Sequence, residues 1–176
     1  MTYSEFQHKH NFSVWAGARA AQRGFTSVEL LRDSLDQSGI KDFVKNMSSI
    51  NNSAEFDESH KKWCNSICDY LYQKGIQNVT YGRAAKLVAV YLKAIVVLAD
   101  LQSIQAKFIH PPIDRILLQN VSKKSGLPKD EKQKLRSINW TQLDGDEYFV
   151  VLEILRKIVN TEPFWKIEEY WTVTND

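Results

Sequence analysis

The stretch from Tyr81 to Asp100 constrains this chain more than any other. It is apolar on most sides, and its most apolar part, Leu87 to Ala99, is interrupted by a single charge, Lys93. A helix that is hydrophobic all round must be wrapped by neighbours on every face. The stretch is too short to cross a bilayer, which takes about 20 consecutive apolar residues. A chain built around it folds as a bundle with this helix at its centre, and no membrane association is expected.

The flanking segments supply the wrapping helices. A first helix spans about Asn11 to Arg23, with Phe12, Trp15, Ala16 and Arg19 on one stripe and Gly24 where it ends. A second opens at Thr26 or Ser27 as N-cap, with Glu29 in its first turn. It turns Leu30, Leu31 and Leu35 to the core and closes at Gly39. Ile40 to Asn52 reads as one short helical turn followed by a polar loop. From Asp57 to Gln73 the spacing of Trp63, Ile67, Tyr70 and Leu71 is helical, and Gly75 stops it. After the central helix, Pro112 suits the first position of a helix running through Asn120. Ser122 to Arg136 reads as an exposed, charged connection. Two last helices cover about Asp146 to Val159 and Pro163 to Trp171. Nothing alternates with period two and nothing repeats, so the expected fold is all-α: a single compact helical domain, 1–176, of about seven helices.

Composition narrows the function class. A length of 176 residues suffices for one real core, and 43% hydrophobic with 25% charged residues excludes a disordered chain. A formal net charge of +2 permits nucleic-acid binding through a local patch and excludes a protein that coats DNA by bulk charge. Met1 to His10 is polar and lacks the apolar run of an export signal, so cytoplasm is the expected compartment. Cys64 and Cys68 lie four apart on one helical face, which suits reduced thiols. With His60 they mimic a metal site, but on one helix the three would span about 12 Å, far beyond the reach of one zinc ion. No metal and no cofactor is expected.

Two segments carry candidate chemistry. In Tyr81-Gly82-Arg83-Ala84-Ala85-Lys86, leading into LVAVYLK, Lys86 lies near the start of the most buried helix. The positive helix end and apolar surroundings would disfavour an ammonium there and leave an amine able to attack a sugar carbon. Equally, Lys86 and Lys93, seven apart, could mark the wet stripe of a buried helix. In Phe108-Ile109-His110-Pro111-Pro112-Ile113-Asp114-Arg115 the prolines stiffen the approach to a helix, and Asp114 falls in its first turn. A carboxylate there stays ionised and can stabilise developing positive charge, or it merely complements the helix dipole.

Taken together, YGRAAKLVAVYLK and FIHPPIDRILL resemble the catalytic core of the helix-hairpin-helix DNA glycosylases, and in particular bacterial proteins of the oxoguanine glycosylase fold. The C-terminal half agrees more loosely, through Trp140, Tyr148, Phe149, Arg156 and the segment from Glu168 to Trp171. VWAGARAAQRG, Val14 to Gly24, is similar to small members of the group. The resemblance implies DNA carrying a modified base as partner, Lys86 as the Schiff-base lysine, and Asp114 as the carboxylate that assists loss of the base. It makes Gly82 the hairpin glycine that admits the DNA backbone. Arg83 and Lys93 become candidates for phosphate contact, and Trp15, Arg19 and Gln22 candidates for reaching the base or filling its gap. Two departures stand out. Gly82 has no second glycine close by, Gly75 being seven residues upstream, and Lys86 and Asp114 are 28 residues apart, implying an inserted loop around Asp100 to Lys107. The other expectation, from a different class, is a helical module that binds nucleic acid or a protein partner without chemistry.

Overall fold

The structure, a computed structural model, describes residues 3–22, 24–47, 50–124 and 126–172, with the Lys124 side chain also left aside. Among these the chain is helical throughout, with no strand. Eight α-helices follow in order: α1 (Glu5–Gln22), α2 (Val28–Gln37), α3 (Ile40–Lys45), α4 (Ser53–Gln73), α5 (Tyr81–Leu92), α6 (Arg115–Lys124), α7 (Lys129–Ser137) and α8 (Gly145–Val159). Short 3-10 turns lie at Gln105–Lys107, Trp140–Gln142 and Phe164–Tyr170. Among the described residues no helix is long and apolar enough to cross a membrane.

The central helix is α5, buried at ten of its twelve positions and packed by α1, α4, α8 and the Trp140–Gln142 turn. α1 lies close against it: at Gly17 an added Cβ would stand 2.9 Å from the Leu87 carbonyl oxygen. α2 then covers α1 and α4, while α6 packs on α7 and on the Phe164–Tyr170 turn. At its C-terminal end α5 widens into a π-turn, Lys93–Val97, closed by the Leu98 amide donating to the Lys93 carbonyl at 2.9 Å. The regular helix therefore ends eight residues before Asp100.

Local chemistry accounts for most boundaries. The Ser27 hydroxyl accepts the Leu30 amide, and Asn52 and Thr80 cap α4 and α5 in the same way. Asp144 and Glu147 form a reciprocal capping box at α8. Gly24, Gly39 and Gly75 stand at helix ends with φ of +76°, +83° and +82°.

Several expectations need correction. α1 begins six residues before Asn11 and turns His10, Ser13, Val14, Gly17, Ala18 and Ala21 inward. The stripe of Phe12, Trp15 and Arg19 is exposed, because the small residues on the opposite face allow the closer contact with α5. Arg23 lies outside the described residues. Ser122 to Arg136 is not a bare connection. α6 runs on to Lys124 and α7 follows, with Ser122 and Leu135 buried and the Arg136 guanidinium donating to the Ser122 hydroxyl. Pro112 does not start a helix. Residues 110–114 are non-helical, and α6 starts at Arg115 with Asp114 as its cap.

Candidate functional site

Lys86 stands on the second turn of α5, past the point where the positive helix end acts strongly. Asp114 stands where the proline-stiffened segment enters α6. The Asp114 Oδ1 atom accepts the Leu117 amide at 2.9 Å, the bond of an N-cap, which holds the side chain at the helix start. The fold brings these two residues together. The Lys86 ammonium donates to Asp114 Oδ2 at 3.0 Å, and both side chains are more than nine-tenths buried, at 7% and 8% exposure. The Pro112 carbonyl oxygen lies 3.5 Å from the same Nζ, and the Trp140 ring centre 5.8 Å from it. The neighbour of the amine is thus a carboxylate, and not only the apolar shell expected from sequence.

A third group completes the arrangement. The Trp171 indole N–H donates to Asp114 Oδ2 at 2.9 Å, so this one oxygen accepts from both the amine and the indole. Burial pushes the Asp114 carboxyl up, but the Lys86 ammonium, the Leu117 amide and the indole outweigh it and hold the group below its ordinary value. Asp114 is therefore a fixed, ionised carboxylate.

The pair lies in a cleft of about 410 Å³, within the range of small-molecule sites. α1 contributes Phe12, Ala16 and Ala20; α5 and its π-turn contribute Val90, Lys93 and Ala94; Leu98, Glu168 and Trp171 complete the mouth. Small residues on α1 leave the space open, and the widened turn of α5 lies on its wall. Phe12, Leu98 and Trp171 expose apolar surface there. A wider groove of about 520 Å³ runs between α7 and α8, but its carboxylates Asp146 and Glu147 are exposed and it encloses no buried charged group.

The remaining candidates divide. Lys93 lines the cleft and is ion-paired with Glu168 across it. Arg83 is turned elsewhere, its guanidinium carbon 4.4 Å from the centre of the Phe25 ring. Gly82 has an internal role in place of the expected DNA contact. A Cβ there would come within 2.0 Å of the Trp140 carbonyl oxygen, and its amide already donates to the Leu143 carbonyl. The close approach that this glycine permits is to the Trp140–Gln142 turn. Arg19 is exposed and Gln22 half-buried, and neither lines the cleft. Trp15 also stays out of it, but its ring centre lies 5.9 Å from that of Phe12, which does line it. Cys64 is buried and Cys68 half-buried, neither in a disulfide, and among the described residues no group of three His, Cys, Asp or Glu side chains is placed to hold a metal.

Sequence reasoning gave Trp171, Glu168 and Phe12 no place in the site, naming Phe12 only on the α1 stripe and the other two only within the more loosely similar C-terminal segment. No spacing rule links Trp171 to Asp114, 57 residues upstream. The chain matches no family model, no curated protein and no solved structure with which it was compared.

Proposed function

We propose that this chain is a DNA glycosylase of the helix-hairpin-helix kind, acting on a modified base turned out of the duplex. One observation carries the reading: a buried amine and a fixed, ionised carboxylate, distant in sequence, meet at 3.0 Å in a cleft with aromatic walls. An enzyme acting on a base inside a duplex must extrude it, and an apolar, aromatic mouth suits a flat heterocycle.

The chemistry follows from the two groups. The C1′–N bond of the nucleotide breaks and its electron pair leaves on the base. Asp114, which stays ionised, offsets the positive charge that grows on the sugar. A Lys86 proton passes to the departing base nitrogen, and the freed lone pair bonds to C1′. The new nitrogen then gives a proton to O4′ as the sugar ring opens, leaving a protonated imine. No cofactor enters these steps.

The test is trapping. A duplex bearing an oxidised purine, incubated with the protein and borohydride, gives a covalent adduct with the unmodified chain and none with Lys86→Gln. Asp114→Asn slows adduct formation by about 100-fold. A second reading, a non-catalytic module for nucleic acid or protein, is favoured by the self-sufficiency of the charges. Lys86 is paired with Asp114 and Lys93 with Glu168, so the cleft is close to neutral. Salt-sensitive duplex binding without any adduct supports that module and overturns the enzyme.

A further inference from the structure

Trp171 presents two different surfaces to the cleft: an apolar ring that forms part of its wall, and an indole N–H aimed at the carboxylate. The bond to Asp114 Oδ2 is 2.9 Å long and falls on the oxygen that Lys86 also uses. If Lys86 leaves to attack a sugar carbon, that oxygen loses one donor at the moment when its charge is needed. The indole N–H cannot ionise or follow the amine, so it stays.

The segment that carries the indole is tied to the helix that Asp114 caps. The Asn120 side-chain amide, on α6, donates to the Tyr170 carbonyl at 2.9 Å and to the Thr172 hydroxyl at 3.2 Å. The Trp171 amide closes the preceding turn on the Glu168 carbonyl. Asp114 and Trp171 are thus held by elements tied to one another, α6 and the segment that follows the Phe164–Tyr170 turn, while Lys86 comes from α5 on the other side.

We infer that Trp171 is the positioning residue of this site: its indole keeps Asp114 oriented and ionised independently of Lys86, so the carboxylate is already in place when the amine departs. This role rests on the glycosylase reading for its purpose, though the contact itself can be tested without DNA. The groups facing Asp114 are few. Lys86 comes from α5, the Leu117 amide from α6 and the indole from the C-terminal segment; farther along the cleft Lys93 and Glu168 are paired with each other.

The experiment compares the unmodified chain with Trp171→Phe, which keeps a ring and loses the N–H. A second variant carries benzothienylalanine at position 171, an isostere with sulfur in place of N–H, so that packing is preserved if phenylalanine is too small. The Asp114 carboxyl is titrated by carbon-13 NMR in the free protein, and the trapping rate is followed against pH. Loss of a donor to the ionised form raises the carboxyl pKa. The Asp114 titration should therefore move to higher pH in both variants, the acid limb of the trapping profile should move with it, and the trapping rate on the plateau should fall about tenfold. An unmoved Asp114 titration in a folded variant overturns the positioning role. So does a normal rate and profile in a variant whose titration has moved. Failure of the unmodified chain to form any adduct, with the titration shifted as expected, marks instead the loss of the glycosylase reading, and the catalytic purpose of the contact goes with it.

Discussion

The segment from His110 to Asp114 serves two polar clusters, one on each side of its paired prolines, and they are built to opposite specifications. Before the prolines, His110 Nε2 meets Asp57 at 2.8 Å, and the same Asp57 oxygen accepts the Arg156 guanidinium at 2.7 Å. The Tyr148 hydroxyl lies 3.3 Å from His110 Nδ1, and His60 packs its ring centre 4.3 Å from that of His110 while sharing a 3.0 Å hydrogen bond with Tyr81. Phe56, Tyr148, Phe149 and Phe164 close over this cluster. After the prolines, Asp114 and Lys86 are buried more deeply than Asp57 and Arg156, at 8% and 7% exposure against 19% and 26%, but they line a cleft. In the first cluster the histidine rings and Tyr148 are sealed by aromatic neighbours, which leaves them one arrangement that serves the fold. A polar cluster with space beside it can exchange its partners, which is what chemistry requires.

That difference is open to attack. Phe56 is fully buried and touches Phe43, Trp63, Phe108 and both histidine rings. Phe56→Ala should lower stability by about 3–5 kcal/mol in chemical denaturation. Phe12 is a ring of the same size at the cleft mouth, 59% exposed, and Phe12→Ala should stay within about 0.5 kcal/mol of the unmodified chain. Equal losses would mean that the cleft wall is core and the contrast false.

Asp57→Ala tests the polar part of the sealed cluster. It leaves the His110 Nε2 atom and one Arg156 contact without their acceptor, and a loss of about 2–3 kcal/mol is expected from hydrogen bonds to a charged group. A loss below about 1 kcal/mol would show that Asp57, whose side chain is 19% exposed, lets water replace it.

The sealed histidines should also set the first response to acid. Burial pushes His60 well below the ordinary value of 6.5, with His110 and Arg156 acting the same way; burial also lowers His110, which Asp57 only partly restores. A histidine with a lowered folded value contributes its full stability above the unfolded value, near 6.5. It loses that contribution as pH falls below this point, because the unfolded chain takes up protons that the folded one refuses. Asp57 and Asp114 are both held below their ordinary 3.8, so their contribution persists above that value and fades only as pH falls further. Denaturation midpoints should therefore decline in two stages on acidification, histidines first. His60→Phe should flatten the first stage and leave the second, and an unchanged first stage would remove His60 from the account.

The sequence disclosed these features unequally. Gly39 and Gly75, the Ser27 cap and the apolar run after Tyr81 act within a few residues of themselves, and the helices they delimit could be read directly. The helix expected from Pro112 slipped to Arg115 because Asp114 is the better cap, a competition that proline stiffness alone does not reveal. The outward turn of Phe12 and Trp15 followed from Gly17 meeting Leu87, a contact between distant helices. The same holds for the site. Lys86 and Asp114 were each marked as candidates by their local setting, but only the resemblance paired them, since a spacing of 28 residues carries no local signal. The sealed cluster, with partners 21 to 99 residues apart, had none either.

A small expected effect on stability is the most informative about function. Lys86→Met keeps most of the volume of the stem and removes the ammonium. Asp114 then remains ionised with two donors, the Leu117 amide and the Trp171 indole, and the cleft admits water to replace the third. Removing one partner of a sealed ion pair costs about 3–5 kcal/mol because the other charge is stranded; here the charge is not stranded, and the loss should be about 1 kcal/mol or less. Adduct formation, by contrast, should vanish completely. An amine that matters little to folding and wholly to reaction is one the fold has set aside for chemistry. If Lys86→Met were as damaging to stability as Asp57→Ala, the pair would instead be a fastener between α5 and α6. The two clusters would then be of one kind, and the convergence of amine and carboxylate would no longer argue for an enzyme.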